Sequence, residues 1–246
     1  MNVVLVTSRV TYIPDNYYGL FSEVLKNYPQ GIKALVLLDN FDFSILKNII
    51  GLRFLGAPRM SSTLLENVLK LHQKKREKLF ENLNIPVLSF KSMNDPKALS
   101  WIKENNIDLI ANVRTRCIYK RPILEAPKLG CINIHHGLLP KYRGTFCDLY
   151  ALYEGREAGF TIHQMTPKID AGQILYKGIV SQGEDKDYLS YLRRTGEIEG
   201  KALAQVFKQI EETGIKGEPN TCDTPLFTKN PNKELIKDML KKGMLL

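Results

Sequence analysis

Strands that alternate with helices along the chain predict an α/β protein built on a doubly wound, mainly parallel sheet. Three apolar runs rich in β-branched residues, Asn2–Ser8, Ile32–Leu38 and Ile107–Val113, have the composition of strands buried on both faces. Between the first two runs, Tyr18–Tyr28 repeats apolar residues at helical spacing. A helix between two such strands forms a βαβ unit, and a series of these units builds a doubly wound sheet.

The same alternation continues through the rest of the chain. Asp95 followed by Pro96 predicts the N-cap and first turn of a helix over Lys97–Asn106. Ile107–Val113 is apolar nearly throughout, so we expect it to be a central strand. The remaining expected elements are strands at Ile85–Phe90, Gly130–Ile134, Phe160–Met165 and Gln173–Val180, and helices at Pro122–Pro127, Tyr188–Thr213 and Asn232–Lys242.

The segment Phe41–Asn84 has a diffuse helical pattern to which we assign no chemistry. Ser61 or Ser62 is a candidate N-cap for one long helix that ends near Glu81. For the domain organisation, residues 1–214 are expected to form one catalytic domain. Residues 215–246 are expected to be a short helical extension, because they are fewer than the roughly 50 residues of a minimal domain.

Composition limits the classes of protein to consider. The 246 residues are 43% hydrophobic and 25% charged, as in ordinary globular proteins, and no apolar run reaches the roughly 20 residues that cross a bilayer. The start of the chain has no signal-peptide pattern, so we expect a cytoplasmic protein without a membrane partner. Four widely spaced cysteines suggest neither a disulfide framework nor a zinc ribbon.

Two ligand classes can be weighed from the sequence. The net charge of +9 invites a nucleic-acid function, but no nucleic-acid signature accompanies it, so no nucleic-acid partner is expected. The basic residues between Arg114 and Lys128 could instead attract an anionic ligand. A nicotinamide cofactor is also disfavoured, because the first strand is followed by Ser8-Arg9-Val10-Thr11-Tyr12 and not by G-x-G-x-x-G.

The stretch Cys131–Gly172 contains three of the four histidines and is the candidate site. Asn133 and His135 are two residues apart on an expected strand, so their side chains share a face. The amide can donate to a developing oxyanion, and the imidazole can transfer a proton at neutral pH. Asp170, in the loop between two later strands, could orient the imidazole and stabilise its cationic form.

Other functions for the histidines remain open at this level. His163 is expected to be a satisfied core histidine, and His136, on the opposite face from His135, is expected to have a packing role. The alternative is a zinc site made of His135, His136 and His163. Adjacent strand residues point apart, however, so no metal is predicted.

The motifs N-I-H-x-x-L-L-P-x-Y-R-G, G-F-T-I-H-Q-M and I-D-A-G resemble those of the formyltransferase family that uses 10-formyltetrahydrofolate. The resemblance covers about residues 85–182 and implies a Rossmann-like formyltransferase fold. It also implies transfer of a formyl group from the folate to a substrate amine, with Asn133, His135 and Asp170 as the catalytic residues. By the same resemblance, the folate contacts are Val113, Arg114, Thr115, Arg116, Cys117, Ile118, Thr166, Lys168 and Ile169. The acceptor contacts are His136, Gly137, Leu138, Lys141, Arg143, Cys147 and Tyr150.

Three positions depart from the family pattern and leave the acceptor open. His136-Gly137 replaces a frequent Pro-Ser, Cys147 and Tyr150 replace Pro and Trp, and Arg114-Thr115-Arg116 replaces small and apolar residues. The expected acceptor is a small amine, phosphorylated or nucleotide-linked, with an amino-sugar nucleotide ahead of others. The resemblance implies that tRNA-specific members carry a further C-terminal domain, so a tRNA acceptor is not expected from these residues. A formyltetrahydrofolate hydrolase, a non-catalytic folate- or anion-binding module, and a homodimer remain open.

Overall fold

The apolar runs of the sequence become the strands of one mixed sheet. The computed structural model describes residues 1–39 and 43–246, so the first residues of the expected helical segment Phe41–Asn84 lie outside the described residues. The strands are β1 (Val3–Ser8), β2 (Ile32–Leu38), β3 (Val87–Phe90), β4 (Leu109–Asn112), β5 (Cys131–His135), β6 (Tyr142–Gly144), β7 (Ala158–Gln164), β8 (Ile174–Ser181) and β9 (Leu226–Thr228).

In the described part of the chain, seven strands form the main sheet in the order β3-β2-β1-β4-β5-β7-β8. The ladders that join β1 to β5 are parallel, whereas β7 and β8 are antiparallel to their neighbours. This confirms the prediction of a doubly wound, mainly parallel sheet. It also confirms β4 as the central strand, and all four of its residues are buried.

The helices cover both faces of the sheet. The helices are α1 (Tyr18–Asn27), α2 (Phe43–Leu55), α3 (Pro58–Leu69), α4 (Lys75–Glu81), α5 (Pro96–Glu104), α6 (Arg121–Leu124), α7 (Cys147–Tyr153), α8 (Tyr188–Thr213) and α9 (Lys233–Lys241). Val3 and Leu5 of β1 pack in one core with side chains of α1 and α8, and Val4 and Val6 pack in a second core with side chains of α5 and α6.

The structure tests two helix starts that the sequence predicts, one at Asp95 and one at Ser61 or Ser62. The Asp95 side chain accepts from the backbone N–H of Lys97, which confirms the predicted N-cap of α5. The long helix capped by Ser61 or Ser62 is wrong. α3 begins at Pro58 and ends at Leu69, and Ser61 lies inside it and donates to the Ile49 carbonyl. Lys74 then has a φ of 48°, a left-handed conformation that separates α3 from α4.

The C-terminal extension packs on the rest of the chain. Its strand β9 pairs in parallel with β6, and Ile236 and Met239 of α9 are buried in the core shared with α1 and α8. The expected α9 is confirmed, with Asn232 as its N-cap. The division into residues 1–214 and 215–246 stays a prediction. Among the described helices, none combines the length and the apolarity that a membrane span requires.

Candidate active site

The candidate site is built on the antiparallel pairing of β5 with β7. Asn133 lies opposite His163 in this ladder, and His135 lies opposite Thr161. Alternate residues of a strand face the same side, and directly opposed residues of two strands also share a face. Asn133, His135 and His163 therefore project from one surface of the sheet. The ladder brings together two of the predicted catalytic residues and one that was expected to lie in the core.

Asp170 reaches this surface from the loop between β7 and β8. One of its carboxylate oxygens, Oδ2, accepts a hydrogen bond of 3.0 Å from the Gly144 backbone N–H and lies 3.7 Å from His135 Nδ1. The other, Oδ1, lies 3.6 Å from His163 Nε2. The carboxylate thus faces both imidazoles at ion-pair distance, beyond the range of a direct hydrogen bond.

His135 is held by a backbone carbonyl. Its Nε2 donates to the Tyr142 oxygen over 2.9 Å, which leaves Nδ1 as the nitrogen that faces Asp170. Burial lowers the pKa of His135, and the Asp170 charge and the Tyr142 carbonyl oppose that effect. The neutral ring therefore has a free lone pair on Nδ1, and a proton taken up there would face the carboxylate.

His163 is a buried histidine with both ring nitrogens hydrogen-bonded, as expected, and it also contacts Asn133. Its Nδ1 donates to the Gln164 carbonyl over 2.8 Å, and its Nε2 accepts from Asn133 Nδ2 over 3.2 Å. Burial, followed by repulsion from His135, lowers the pKa of His163 to about 4. The ring is thus a neutral acceptor for the Asn133 amide, and the signal that the sequence lacked was the register of β5 against β7.

A chain of hydrogen bonds orients the Asn133 amide. Asn112, at the end of β4, donates from Nδ2 to Asn133 Oδ1 over 2.7 Å, and the Thr115 hydroxyl donates to Asn112 Oδ1 over 2.8 Å. With its oxygen occupied by Asn112, Asn133 presents its NH₂ group to the site. Asn112 was not predicted as a site residue, although its place at a strand end could have indicated it.

Gly137 and Cys147 form the wall beside His135. A Cβ built on Gly137 would lie 2.6 Å from Cys147 Cβ and 2.7 Å from His135 Nε2, so only glycine fits between them. The Cys147 Sγ contacts the Thr228 hydroxyl at 3.0 Å, and burial raises the pKa of the thiol to about 12. Cys147 is therefore a buried thiol that shapes the wall, and its ionisation state does not suit a nucleophile.

The two segments expected to bind folate are only partly available to a ligand. Val113 is buried and hydrogen-bonded to β1, and Arg114 turns inward to pair with Glu199 of α8. The folate contact expected for Arg114 stays a prediction, and in this structure its guanidinium faces Glu199 instead. Cys117 is half-buried, with Sγ 3.3 Å from the Ser92 hydroxyl. The other residues expected here are at least partly exposed, namely Thr115, Arg116, Ile118, Thr166, Lys168 and Ile169.

The residues expected to bind the acceptor separate into two groups. Leu138 and Lys141 line an open cleft together with Tyr142 and Arg156. His136 instead points into the interior, toward Asp148 and Glu199, as its expected packing role requires and away from the acceptor contact that was also expected. Arg143 donates to the backbone and side-chain oxygens of Asn220, and Tyr150 of α7 is half-buried.

Asn220 of the C-terminal extension was missed. Its buried Nδ2 donates to the carbonyls of Asp170 and Gly172, each over 2.9 Å, and so fixes the loop that carries the carboxylate. Asp170 has a left-handed φ of 49°, which these bonds help to hold. Within the ranges 1–39 and 43–246, no group of three histidine, cysteine or carboxylate side chains is arranged to hold a metal ion.

The family model described as "Formyl transferase" matches residues 63–207, more than half of the chain. The chain belongs to the formyl transferase family. The match includes β3, β4, β5, β7 and β8 and all the site residues from Asn112 to Asp170. Asn220 and Thr228 lie beyond it, so this family member completes its site with residues outside the matched segment.

Known formyltransferases agree with this assignment. Methionyl-tRNA formyltransferase of Geobacter metallireducens is 33% identical over 154 residues, which are 61% of this chain and 50% of that protein. The chain spans about half the length of the curated relatives it matches.

Solved structures share the fold at lower identity. A sugar N-formyltransferase from Shewanella sp FDAARGOS_354 aligns with a TM-score of 0.60 at 17% identity, over 98% of this chain and 87% of that one. The formyltransferase PseJ from Anoxybacillus kamchatkensis, solved with UDP-4,6-dideoxy-4-formamido-L-AltNAc and tetrahydrofolate, aligns with a TM-score of 0.50 at 23% identity. That alignment covers 66% of this chain and 90% of PseJ.

Proposed function

We propose that this formyl transferase family member moves a formyl group from 10-formyltetrahydrofolate to the amine of a small substrate, an amino-sugar nucleotide before other acceptors. The observation that carries the proposal is the convergence of the Asn133 amide, the neutral His135 imidazole and the Asp170 carboxylate at the end of β5. Acyl transfer needs an oxyanion donor and a proton path at one carbon, and these groups supply both.

The residues near the site suit a folate. Ile118 and Ile169, from the two segments expected to bind it, are 70% and 58% exposed, and apolar side chains of this kind suit the flat pterin ring. Arg116 and Lys168, which are exposed on the same two segments, suit the carboxylates of a glutamate tail. When bound, the folate supplies the formyl carbonyl that the amine attacks.

Each catalytic residue has one task in this proposal. Asn133 Nδ2 donates to the formyl oxygen as negative charge develops there, and the hydrogen bond from Asn112 keeps the amide turned for this. His135 Nδ1 accepts the proton that the attacking amine loses, and the same proton is then available to the folate nitrogen that leaves. Asp170 stabilises the imidazolium between these two transfers, from 3.7 Å. His163 positions the Asn133 amide.

The acceptor class is supported by the cleft that contains Lys141. Tyr142 lines this cleft, and its backbone carbonyl accepts from His135 Nε2, so one residue connects the cleft with the catalytic imidazole. Lys141 and Arg156 stand over the Tyr142 ring, 5.9 Å and 5.6 Å from its centroid. Arg156 is paired with the Glu154 carboxylate, so Lys141 is the cation in this cleft that suits a phosphate or nucleotide. The solved sugar N-formyltransferases of the same fold agree with this choice.

The function is tested by incubating the protein with 10-formyltetrahydrofolate, alone and with a panel of amines, and following release of tetrahydrofolate. The panel contains amino-sugar nucleotides, the corresponding free amino sugars, glycinamide ribonucleotide and methionyl-tRNA. Release that depends on a nucleotide-linked amino sugar supports the proposal. Release without any amine indicates a hydrolase, and binding without release indicates a non-catalytic module. Turnover with methionyl-tRNA or glycinamide ribonucleotide alone would overturn the acceptor assignment.

Lys141 gives a direct test of the cleft. Lys141→Ala should raise the KM for a nucleotide-linked acceptor about tenfold, since a charged hydrogen bond to phosphate contributes about 1.5–3 kcal/mol. The KM for 10-formyltetrahydrofolate should not change. Lys33→Ala, an exposed lysine on β2, is the matched control.

A further inference from the structure

Four ionisable side chains from four segments meet in the interior behind the candidate site. They are Arg114 after β4, His136 after β5, Asp148 of α7 and Glu199 of α8, and we refer to them as the buried charge cluster. Arg114 pairs with Glu199, His136 Nδ1 lies 3.4 Å from Asp148 Oδ2, and His136 Nε2 lies 3.5 Å from Glu199 Oε1. The side chains of Asp148 and Glu199 are fully buried, and those of Arg114 and His136 are nearly so.

The contacts of His136 determine which protonation state of its imidazole ring is favoured. Both ring nitrogens face carboxylate oxygens, and a carboxylate can only accept, so both contacts are favourable only when the ring carries a proton on each nitrogen. The net charge of the cluster favours the same protonated state of His136. Asp148 and Glu199 are two buried anions, Arg114 is one cation, and a protonated His136 makes the cluster neutral. Buried charges without a partner are expensive, so the neutral arrangement is favoured.

Other side chains also contact the buried charge cluster. The Tyr188 hydroxyl donates to Asp148 Oδ1 over 3.0 Å, and Arg114 lies over the Tyr17 ring. Burial raises the pKa of Asp148 to about 7, although Arg114 lowers it, whereas a protonated His136 beside the carboxylate favours its charged form. Titratable and charged groups face the His136–Asp148 pair from the segment between β1 and α1, from the loop after β4 and from α8. These groups are Tyr12, Tyr17, Arg114, Tyr188, Tyr191 and Glu199.

Three members of the cluster, His136, Asp148 and Arg114, adjoin a residue of the candidate site. His136 follows His135 directly, and its carbonyl accepts from the Asp148 backbone N–H over 3.0 Å. Asp148 follows Cys147, and Gly137 lies so close to both Cys147 and the His135 ring that no side chain fits there. Arg114 precedes Thr115 and has a left-handed φ of 57°, which its pairing with Glu199 helps to hold. A displacement of His136 would therefore also displace the His135 imidazole and the Arg114–Ile118 segment, which is expected to bind folate.

We propose that protonated His136 is a positioning residue, which bridges Asp148 and Glu199 and so holds His135 and the Arg114–Ile118 segment in the geometry for formyl transfer. This inference rests on the proposed function for its effect on turnover. The His136 ring lies between a carboxylate on α7 and another on α8.

The first experiment reads the cluster without any turnover. The chain has four histidines, so the imidazole nitrogens of the full-length protein can be assigned by NMR. We expect His136 to be an imidazolium at pH 7, and His136→Gln to shift the His135 ring resonances. His72→Gln is the matched control, because His72 is exposed, and it should leave them unchanged. A neutral His136 at pH 7, or a His135 ring insensitive to His136→Gln, would overturn the proposal.

The second experiment separates charge balance from packing. His136→Gln leaves the cluster with an unbalanced anion, and turnover should fall about ten- to a hundredfold by misplacement of the site, with less change in KM. The double variant His136→Gln/Asp148→Asn restores neutrality and should recover most of the loss. Equal losses in the single and double variants would contradict the charge-balancing role. If wild type shows no transfer to any amine, the proposed function fails, and the NMR titration still decides the state of His136.

Discussion

Asn133 and His163 face each other across β5 and β7, with the amide nitrogen 3.2 Å from an imidazole nitrogen that has no proton of its own to offer. The low pKa of His163 keeps it in this accepting state at neutral pH. On the other side, Asn112 fixes the Asn133 oxygen. The amide is therefore held from both ends in an orientation that presents a donor to the site.

Replacement of His163 tests this orientation. His163→Ala removes the acceptor for Asn133 Nδ2, so turnover should fall about a hundredfold, as when one oxyanion donor is lost. His163→Gln keeps a side-chain oxygen near the same place and should lose less. Steady-state kinetics of the two variants measures the difference. Equal turnover in wild type and His163→Ala would contradict a positioning role for the ring.

Asn220 should matter for both stability and turnover. Asn220→Ala leaves the carbonyls of Asp170 and Gly172 without their donor, which should reduce the free energy of unfolding by about 1–3 kcal/mol. Turnover should fall with it, because the Asp170 loop loosens. Asn105→Ala removes one exposed amide bond to the Trp101 carbonyl and is the control. Denaturant unfolding and kinetics together check the prediction, which fails if the two variants behave alike.

Gly137→Ala should be more damaging than its size suggests. The added methyl would meet Cys147 Cβ and His135 Nε2 closer than any normal contact, so the imidazole must shift. We expect a loss of about 1–3 kcal/mol in stability and a larger relative loss in turnover. Gly51→Ala in α2 meets nothing within 4 Å and should stabilise the fold by about 0.5–1 kcal/mol. A Gly137→Ala protein with wild-type kinetics would show that the space between Gly137, Cys147 and His135 can accommodate a methyl group.

Stability should depend on pH through His163. Its pKa is about 4 in the folded state and about 6.5 when unfolded, so between these values the unfolded chain binds more protons. The contribution to stability is fully present above pH 6.5 and is lost as the pH falls through about 4, with a total of about 3 kcal/mol. His135, whose pKa is also lowered, adds to it in the same direction. Unfolding free energies measured from pH 7 to pH 4 should show a smaller slope in His163→Gln than in wild type.

The sequence predicted most of the sheet, because buried parallel strands are read as continuous apolar runs. The run Ile32–Leu38 has the bounds of β2, and the helical pattern Tyr18–Tyr28 agrees with α1 to within a residue. The helices between Phe43 and Glu81 were read less well, since Pro58 and Lys74 divide a pattern that looked continuous. Local periodicity describes each element well and describes the breaks between elements poorly.

The site was predictable where its geometry is local. The two-residue period of a strand places Asn133 and His135 on one face without any tertiary information. His163 joins them only through the register of an antiparallel pair, and Asn220 through a contact across 50 positions of the chain. The inward turn of Arg114 depends on the buried carboxylate of Glu199, which no local pattern reveals.

The most direct measurement of the central claim compares wild type with His135→Ala and Asp170→Asn for the transfer of an isotope-labelled formyl group from 10-formyltetrahydrofolate to an amino-sugar nucleotide. Wild type should form the labelled amide. Each variant should lose at least about a hundredfold in turnover, the order expected when a general base is lost, while its circular dichroism and unfolding midpoint stay near those of wild type. Wild-type turnover in either folded variant would contradict the assigned mechanism.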